Sequence, residues 1–186
     1  MDERKTPFGR RMVQLPNLVP GDIAGGLWDG NRDFSYRFLD QTKALGFESE
    51  VDSGNGSINQ YVEQNRDNLR ERPIGFQSSI LRGIYLPKVR LRFANFTLAD
   101  LEGAYFGDAD LEEAKFVGAN IRGVEFSDAN LRGVDLRDSQ GIETCGFVNT
   151  IYDEAIILPK QLELIRAMGL DADKFRVEEF KLGESD

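Results

Sequence analysis

Between Leu81 and Leu136 a large apolar residue recurs at every fifth position: Leu81, Leu86, Leu91, Phe96, Leu101, Phe106, Leu111, Phe116, Ile121, Phe126, Leu131 and Leu136. Leu, Ile and Phe make up about a quarter of the chain, so twelve consecutive hits have chance odds below about one in ten million. Two positions before each stands a small or β-branched residue: Ser79, Ile84, Val89, Ala94, Ala99, Ala104, Ala109, Ala114, Ala119, Val124, Ala129 and Val134. The position between is often Asn or Asp, as at Asn95, Asp100, Asp110, Asn120, Asn130 and Asp135. The unit reads Ala-(Asp/Asn)-(Leu/Phe)-X-X, as in Ala99-Asp100-Leu101-Glu102-Gly103. A period of five matches neither a helix nor a plain strand, so each unit must combine one short extended segment with one turn.

On these residues the stretch 79 to 138 resembles the pentapeptide-repeat family. The resemblance implies a mainly β fold in which four units make one square coil of a right-handed quadrilateral parallel β-helix. The large residue and the small residue before it point inward, and the other three positions face out. Stacking by twenties then sorts the inward residues into four columns. Two are aliphatic, Leu81 over Leu101 and Ile121, and Leu91 over Leu111 and Leu131. Two are mainly aromatic, Leu86 over Phe106 and Phe126, and Phe96 over Phe116 and Leu136. Rings in register at strand spacing are expected to lie over one another.

The outward columns Arg82, Glu102, Arg122 and Arg92, Glu112, Arg132 alternate in sign, as pairing between neighbouring coils requires. Gly83, Gly103 and Gly123 at one corner predict type II turns; Lys88, Asp108 and Asp128 at the next suggest a different turn, and Gly118 and Gly133 point to mixed corners. After Asp138 the phase slips by one. The large positions become Ile142, Phe147, Tyr152 and Ile157, preceded by Gln140, Cys145, Thr150 and Ala155. Cys145 at an inward small position reads as an inert buried thiol. Ile74 and Phe76 continue the phase upstream, so the coils, about four of them, are expected over 74–158.

Both ends of such a tower need caps. Pro159, the shared face of Leu162, Ile165 and Met168, and Gly169 predict a capping helix over 159–168 within a C-terminal segment 159–186, whose tail packs partly on the cap. The N-terminal segment 1–73 carries two expected helices. The first, about 32–45, has Phe34, Phe38, Leu39 and Leu45 in helical spacing before Gly46. The second, about 57–71, starts at a Ser57/Gln60 capping box, with Ile58, Tyr61, Val62 and Leu69 on one face. Two readings stand for these helices: an end cap for the tower, or a separate recognition element. The Gly-rich stretch Gly21 to Trp28 has neither the Lys-Ser/Thr of a phosphate loop nor dinucleotide spacing, and reads as a structural loop.

Composition narrows function mainly by exclusion. The 186 residues carry a net charge of −9, no His and one Cys, with 40% hydrophobic and 30% charged residues, a soluble globular profile. Without His the commonest general base and metal ligand is absent, and one Cys supports neither a disulfide framework nor a multi-cysteine zinc site. No cofactor motif and no metal set is read. No run of about 18 apolar residues spans a bilayer, and Arg10-Arg11 is not followed by an apolar signal core, so a cytoplasmic protein without membrane association is expected. The acidic balance disfavours direct nucleic-acid binding.

The reading that follows is a non-catalytic protein–protein interaction or scaffold module. Its candidate partner surface is Tyr85 stacked with Tyr105 beside Pro87 and Gly107, a flat, uncharged strip suited to a protein partner. The alternative comes from the resemblance: some pentapeptide-repeat proteins mimic DNA, bind type II topoisomerases such as DNA gyrase and confer quinolone resistance. Charge placement weighs against it. Residues 79 to 98 carry four basic residues and no acid, whereas 99 to 118 carry six acids and one Lys, so the tower is banded rather than uniformly acidic. Dimerisation through the C-terminal helix, which similar proteins use, would lengthen it. An enzyme would have only acid pairs to work with, Asp108 with Asp110, Glu112 with Glu113, and Asp153 with Glu154, which on a repeat surface read as solvated decoration.

Overall fold

The computed structural model describes residues 59–178 apart from Tyr61. The expected helix over 32–45, the Gly21 to Trp28 loop and the Ser57 end of the capping box lie outside the described residues. Four ladders of parallel bridges run up the molecule. Face one joins Ile80, Asp100, Asn120 and Gln140; face two Tyr85, Tyr105, Glu125 and Gly146; face three Arg90, Asp110, Asn130 and Ile151; face four Gly75, Asn95, Lys115, Asp135 and Ile156. Face four gains a further rung where β1 (Ile156–Ile157) pairs in parallel with β2 (Arg176–Val177). The fold is a β-helix solenoid.

One unit shows why the sequence takes this path. Ala99 N–H donates to Phe96 O (2.9 Å), closing the turn, and Asp100 N–H donates to Ser79 O in the coil before (2.8 Å). Leu101 and Gly103 N–H donate to Asn120 O and Arg122 O in the coil after (2.8 and 2.9 Å). Only Glu102 N–H is left, and the Asp100 carboxylate two residues back accepts it at 3.4 Å. The same side-chain turn forms at Asn95, Asp110, Asn120, Asn130 and Asp135. Asp and Asn recur there because a short acceptor side chain satisfies the one donor that the ladder cannot reach.

Every corner from residue 78 to residue 138 has positive φ at its third turn residue, between 54° at Ser78 and 69° at Gly103. All are therefore type II in character, and the expectation of a different turn at Lys88, Asp108 and Asp128 is corrected: their φ values are 55°, 57° and 59°. A non-glycine residue pays about 1 kcal/mol or more for this conformation. The ladder bond each corner N–H then makes, such as Lys88 N–H to Gly107 O at 2.8 Å, offsets that strain.

The phase slip is also placed differently. Gln140 is exposed on the face-one ladder, Ser139 fills the inward position, and the extra residue is Gly141. Gly141 sits at φ 81°, where a Cβ would lie 2.7 Å from the Arg122 Cα, so the insertion point admits only glycine without backbone movement. A 3-10 turn, Ile142–Thr144, returns the chain to register with Ile142 buried.

All twelve large residues from Leu81 to Leu136 are at most 1% exposed. Phe76, Phe96 and Phe116 stack on face four with centroids 4.9 Å apart, and Phe106 stacks on Phe126 on face two at 6.0 Å. Faces two and four are opposite walls, and their rings meet across the interior edge to face, Phe96 with Phe106 and Phe116 with Phe126, both at 5.9 Å. The core is two aromatic columns interlocked between two aliphatic ones.

At the N-terminal end, helical residues 59–65 and a 3-10 turn, Arg66–Asn68, bring Val62 and Leu69 into the core; the α-helix ends at 65, before the expected end near 71. The Asn59 amide donates to Lys88 O (2.8 Å) and accepts from Arg90 N–H (2.6 Å), standing in for the coil that is missing there. At the other end a 3-10 turn, Pro159–Gln161, leads into the helix Leu162–Ala167, which buries Ile165. The buried Gln161 amide does the corresponding work, donating to Leu136 O and accepting from Leu158 N–H, both at 2.9 Å. The tail adds β2 to the tower, with Phe175 stacked on Tyr152 at 5.0 Å.

Phe116→Ala is expected to destabilise the protein by about 3 to 5 kcal/mol in chemical denaturation, because it opens a cavity in the stack and removes an edge-to-face contact. Gly141→Ala is expected to lower stability by about 2 kcal/mol or more in the same measurement, through strain at positive φ and collision with the Arg122 backbone; a midpoint equal to that of the parent chain would remove the steric account.

Candidate functional site

The outward positions are where recognition can reside, and the four faces differ there. On faces one and three the charge columns pair only in their upper half. Arg82 reaches Asp100 at 2.6 Å and Glu102 at 3.7 Å, and Arg92 reaches Glu112 at 2.6 Å and Asp110 at 3.8 Å. Arg122 and Arg132 are exposed with no ion pair among the described residues, which corrects the expectation of continuous alternating ladders. The rungs below are tied instead by amides, Asn120 Nδ2 to Asp100 (3.0 Å) and Asn130 Nδ2 to Asp110 (3.1 Å).

Between the N-terminal helix and face three lies a cleft of about 470 Å³ with Val62 and Leu69 at its floor. Ion pairs cross it: Arg90 meets Glu63 at 3.1 Å, and just beyond, Arg70 meets Glu113 at 2.6 Å and lies over the Phe93 ring at 4.8 Å. The cleft is a seam that fastens the helix to the coils.

Face two carries the aromatic surface. Tyr85 and Tyr105 stack with centroids 4.8 Å apart and an interplanar angle of 22°, Tyr85 being 38% exposed and Tyr105 half-buried. Gly107 makes room for this: a Cβ there would collide with the Tyr105 hydroxyl and ring, so the ring lies flat across the glycine. One rung lower the Glu125 carboxylate lies over Gly146, its bridge partner in the next coil, and accepts from Ser127 N–H at 3.1 Å. The strip is uncharged only in its upper two rungs. Partial burial first, then the neighbouring Tyr85 and the carboxylates of Asp108, Glu125 and Asp128, raise the Tyr105 phenol above its ordinary pKa.

The acid pairs singled out in the sequence do not converge on a common site. Asp108 faces out at the corner after face two, while Asp110 and Glu112 engage Asn130 and Arg92 on face three, and Asp153 pairs with Lys174 at 3.4 Å. No group of three metal-capable side chains forms among the described residues. Cys145 is partly buried in the inward small position, its thiol donating to Ile121 O at 3.0 Å, and burial pushes its pKa up to about 12. No helix among the described residues is long and apolar enough to cross a membrane.

A family profile described as pentapeptide repeats matches residues 76–108 and 99–138, with eight copies of the repeat. Residues 76–138 of the chain belong to the pentapeptide-repeat family. Solved pentapeptide-repeat structures resemble the chain over part of its length. Rfr23 from the cyanobacterium Cyanothece 51142 is 30% identical over 42% of this chain and 57% of its own, with a TM-score of 0.39. A pentapeptide repeat protein from the Arabidopsis thaliana thylakoid lumen is 27% identical over 50% of this chain and 72% of its own, with a TM-score of 0.32. QnrB1, a plasmid-mediated fluoroquinolone resistance protein, is 21% identical over 44% of this chain and 47% of its own in its trypsin-treated form, with a TM-score of 0.33. The chain thus spans a little over half the length of Rfr23. No curated protein matches the chain.

The Cys145 environment gives a direct test of the lower coil. In the native protein at pH 8 alkylation of Cys145 is expected to be on the order of a hundredfold slower than in denaturant, because the thiolate is suppressed. The raised pKa, about 12 against an ordinary 9.0, also sets a sign: its stabilising contribution is complete below pH 9 and is lost as the pH rises toward 12. Rapid labelling of folded protein at pH 8 would contradict this placement.

Proposed function

We propose that the chain is a non-catalytic protein–protein interaction module, in which the coils over 74–158 present a docking face and segment 159–186 caps and stabilises them. The observation that carries this reading is the stacked Tyr85–Tyr105 pair on the exterior of face two, with Tyr105 lying flat over the buried Gly107. A partly exposed aromatic pair on a rigid sheet offers contact area at little conformational cost, and aromatic residues are enriched at interface centres. The coil is taken as right-handed, the hand the family resemblance implies. Catalysis has no support in the side chains, since the acids engage arginines or amides or stand apart on the surface.

The DNA-mimic reading, with a type II topoisomerase as partner, is the weaker one. It requires an acidic exterior along the length, whereas Arg82 and Arg92 neutralise the acids of the upper coils on faces one and three. A homodimer through the C-terminal helix would rest on Leu164, which is 40% exposed, and nothing else about that helix favours self-association.

The test is affinity capture from native lysate with the full chain and with Tyr85→Ala/Tyr105→Ala. A protein retained by the parent chain is expected to be lost with the double variant while the melting temperature holds. Undiminished capture by the double variant would remove face two as the docking surface.

A further inference from the structure

Ion pairing is distributed unevenly around the tower. Over residues 75–138, Arg82 and Arg92 take two carboxylates each, and Arg70, Arg137 and Lys160 take one each, on faces one, three and four and their corners. The three carboxylates of this stretch with no ion pair among the described residues are Asp108, Glu125 and Asp128. All three belong to face two or to the corner that follows it. Asp108 and Asp128 are exposed one coil apart, with Asn149 donating to Asp128 at 3.1 Å, and Glu125 sits directly below Tyr105 on the ladder. Lys88 is the one cation in the outward positions of this face, at its upper corner, and Arg122 stands exposed on the neighbouring face one. The surface that displays two stacked tyrosines is thus also the surface on which negative charge is left uncompensated.

Resting on the reading that face two is the docking surface, we infer that its occupant is an extended, arginine- or lysine-bearing segment of a partner protein, held by the Tyr85–Tyr105 pair and by Asp108, Glu125 and Asp128. The rings and the carboxylates ask for the same chemistry. A tyrosine face attracts a guanidinium or ammonium group, and Tyr85 has no ring contact among the described residues other than Tyr105. Exposed carboxylates one rung apart at the same corner, Asp108 and Asp128, favour a positively charged segment and repel an acidic or phosphorylated one. A divalent cation does not fit, because no group of three potential ligands converges among the described residues. The Tyr105 phenol is raised above its ordinary pKa first by partial burial and then by Tyr85, with Asp108, Glu125 and Asp128 adding to the shift.

The probe is a fluorescein-labelled peptide of alternating arginine and glycine, titrated by anisotropy against the full chain at about 0.15 M salt, where long-range attraction is screened. Two variants change the net charge equally, Asp108→Asn/Glu125→Gln/Asp128→Asn on face two and Glu102→Gln/Glu112→Gln/Asp138→Asn on the other faces. The face-two triple and Tyr85→Ala/Tyr105→Ala are each expected to weaken the peptide about tenfold or more, and the control triple less than about threefold. Asn tolerates the positive φ of Asp108 and Asp128, and unchanged melting curves confirm that the variants fold. No binding to the parent chain, or equal weakening by both triples, overturns the inference. If the face-two triple still captures a lysate partner that the tyrosine variant loses, face two stands and the cationic occupant falls; if the tyrosine variant also captures it, the docking reading itself falls.

Discussion

The structure depends on one constraint, that five backbone N–H groups per unit must find acceptors in a chain that turns every five residues. In unit 99–103 two donate forward to the next coil, one donates back to the previous coil, one closes the turn and one is taken by a side chain. The forward donors lie on either side of the corner, so the corner must hold the third turn residue at positive φ for both to point along the tower. This is why Phe93 and Leu98 accept φ values of 64° and 59° that bulky residues ordinarily avoid. The strain at each corner is local, while the ladder bond it permits is shared with the neighbouring coil, so the arrangement gains from every added rung.

That logic fails at the ends, where a rung has no neighbour, and the two solutions are chemically alike. Asn59 at one end and Gln161 at the other each turn a side-chain amide toward the open backbone, offering one donor and one acceptor. An amide side chain has the same pair of groups as a peptide unit and can replace a strand for one residue. Each is carried on a helical turn that also delivers apolar side chains, Val62 and Leu69 above and Ile165 below, so the same short segment satisfies the backbone and covers the core.

Much of this is legible as period. The inner walls follow from residues spaced by five, and the Asp/Asn preference has its meaning in a single leftover N–H. Other features are hidden for physical reasons. The uniformity of the corners is masked because a type II turn held between two ladders tolerates Lys88 as well as Gly83, so residue identity at the corner does not report φ. The slip appears in the sequence as a shift, but only packing against Arg122 shows that Gly141 is the inserted residue and that Ser139, not Gln140, points inward. Asn59 and Gln161 carry no periodic signal, being single amides whose role exists only once both helical turns are docked. On the surface, alternating charge columns suggest continuous ladders, yet Arg82 and Arg92 each reach two carboxylates in the next coil, and Arg122 and Arg132 have no ion pair among the described residues.

The same rule of local pairing makes one face different. A cation at the first outward position of a unit can reach the bridge residue of the next coil and the equivalent outward position, as Arg82 reaches Asp100 and Glu102. Face two has Pro87, Gly107, Ser127 and Val148 at those positions, so none of them supplies a cation, and Lys88 at the corner one rung above Asp108 forms no ion pair among the described residues. Gly107 at one of these positions keeps the surface low enough for Tyr105 to lie across it. The choice that flattens the tyrosines is therefore also the choice that removes the counter-charges, and aromatic exposure and unpaired acidity on face two have one structural cause.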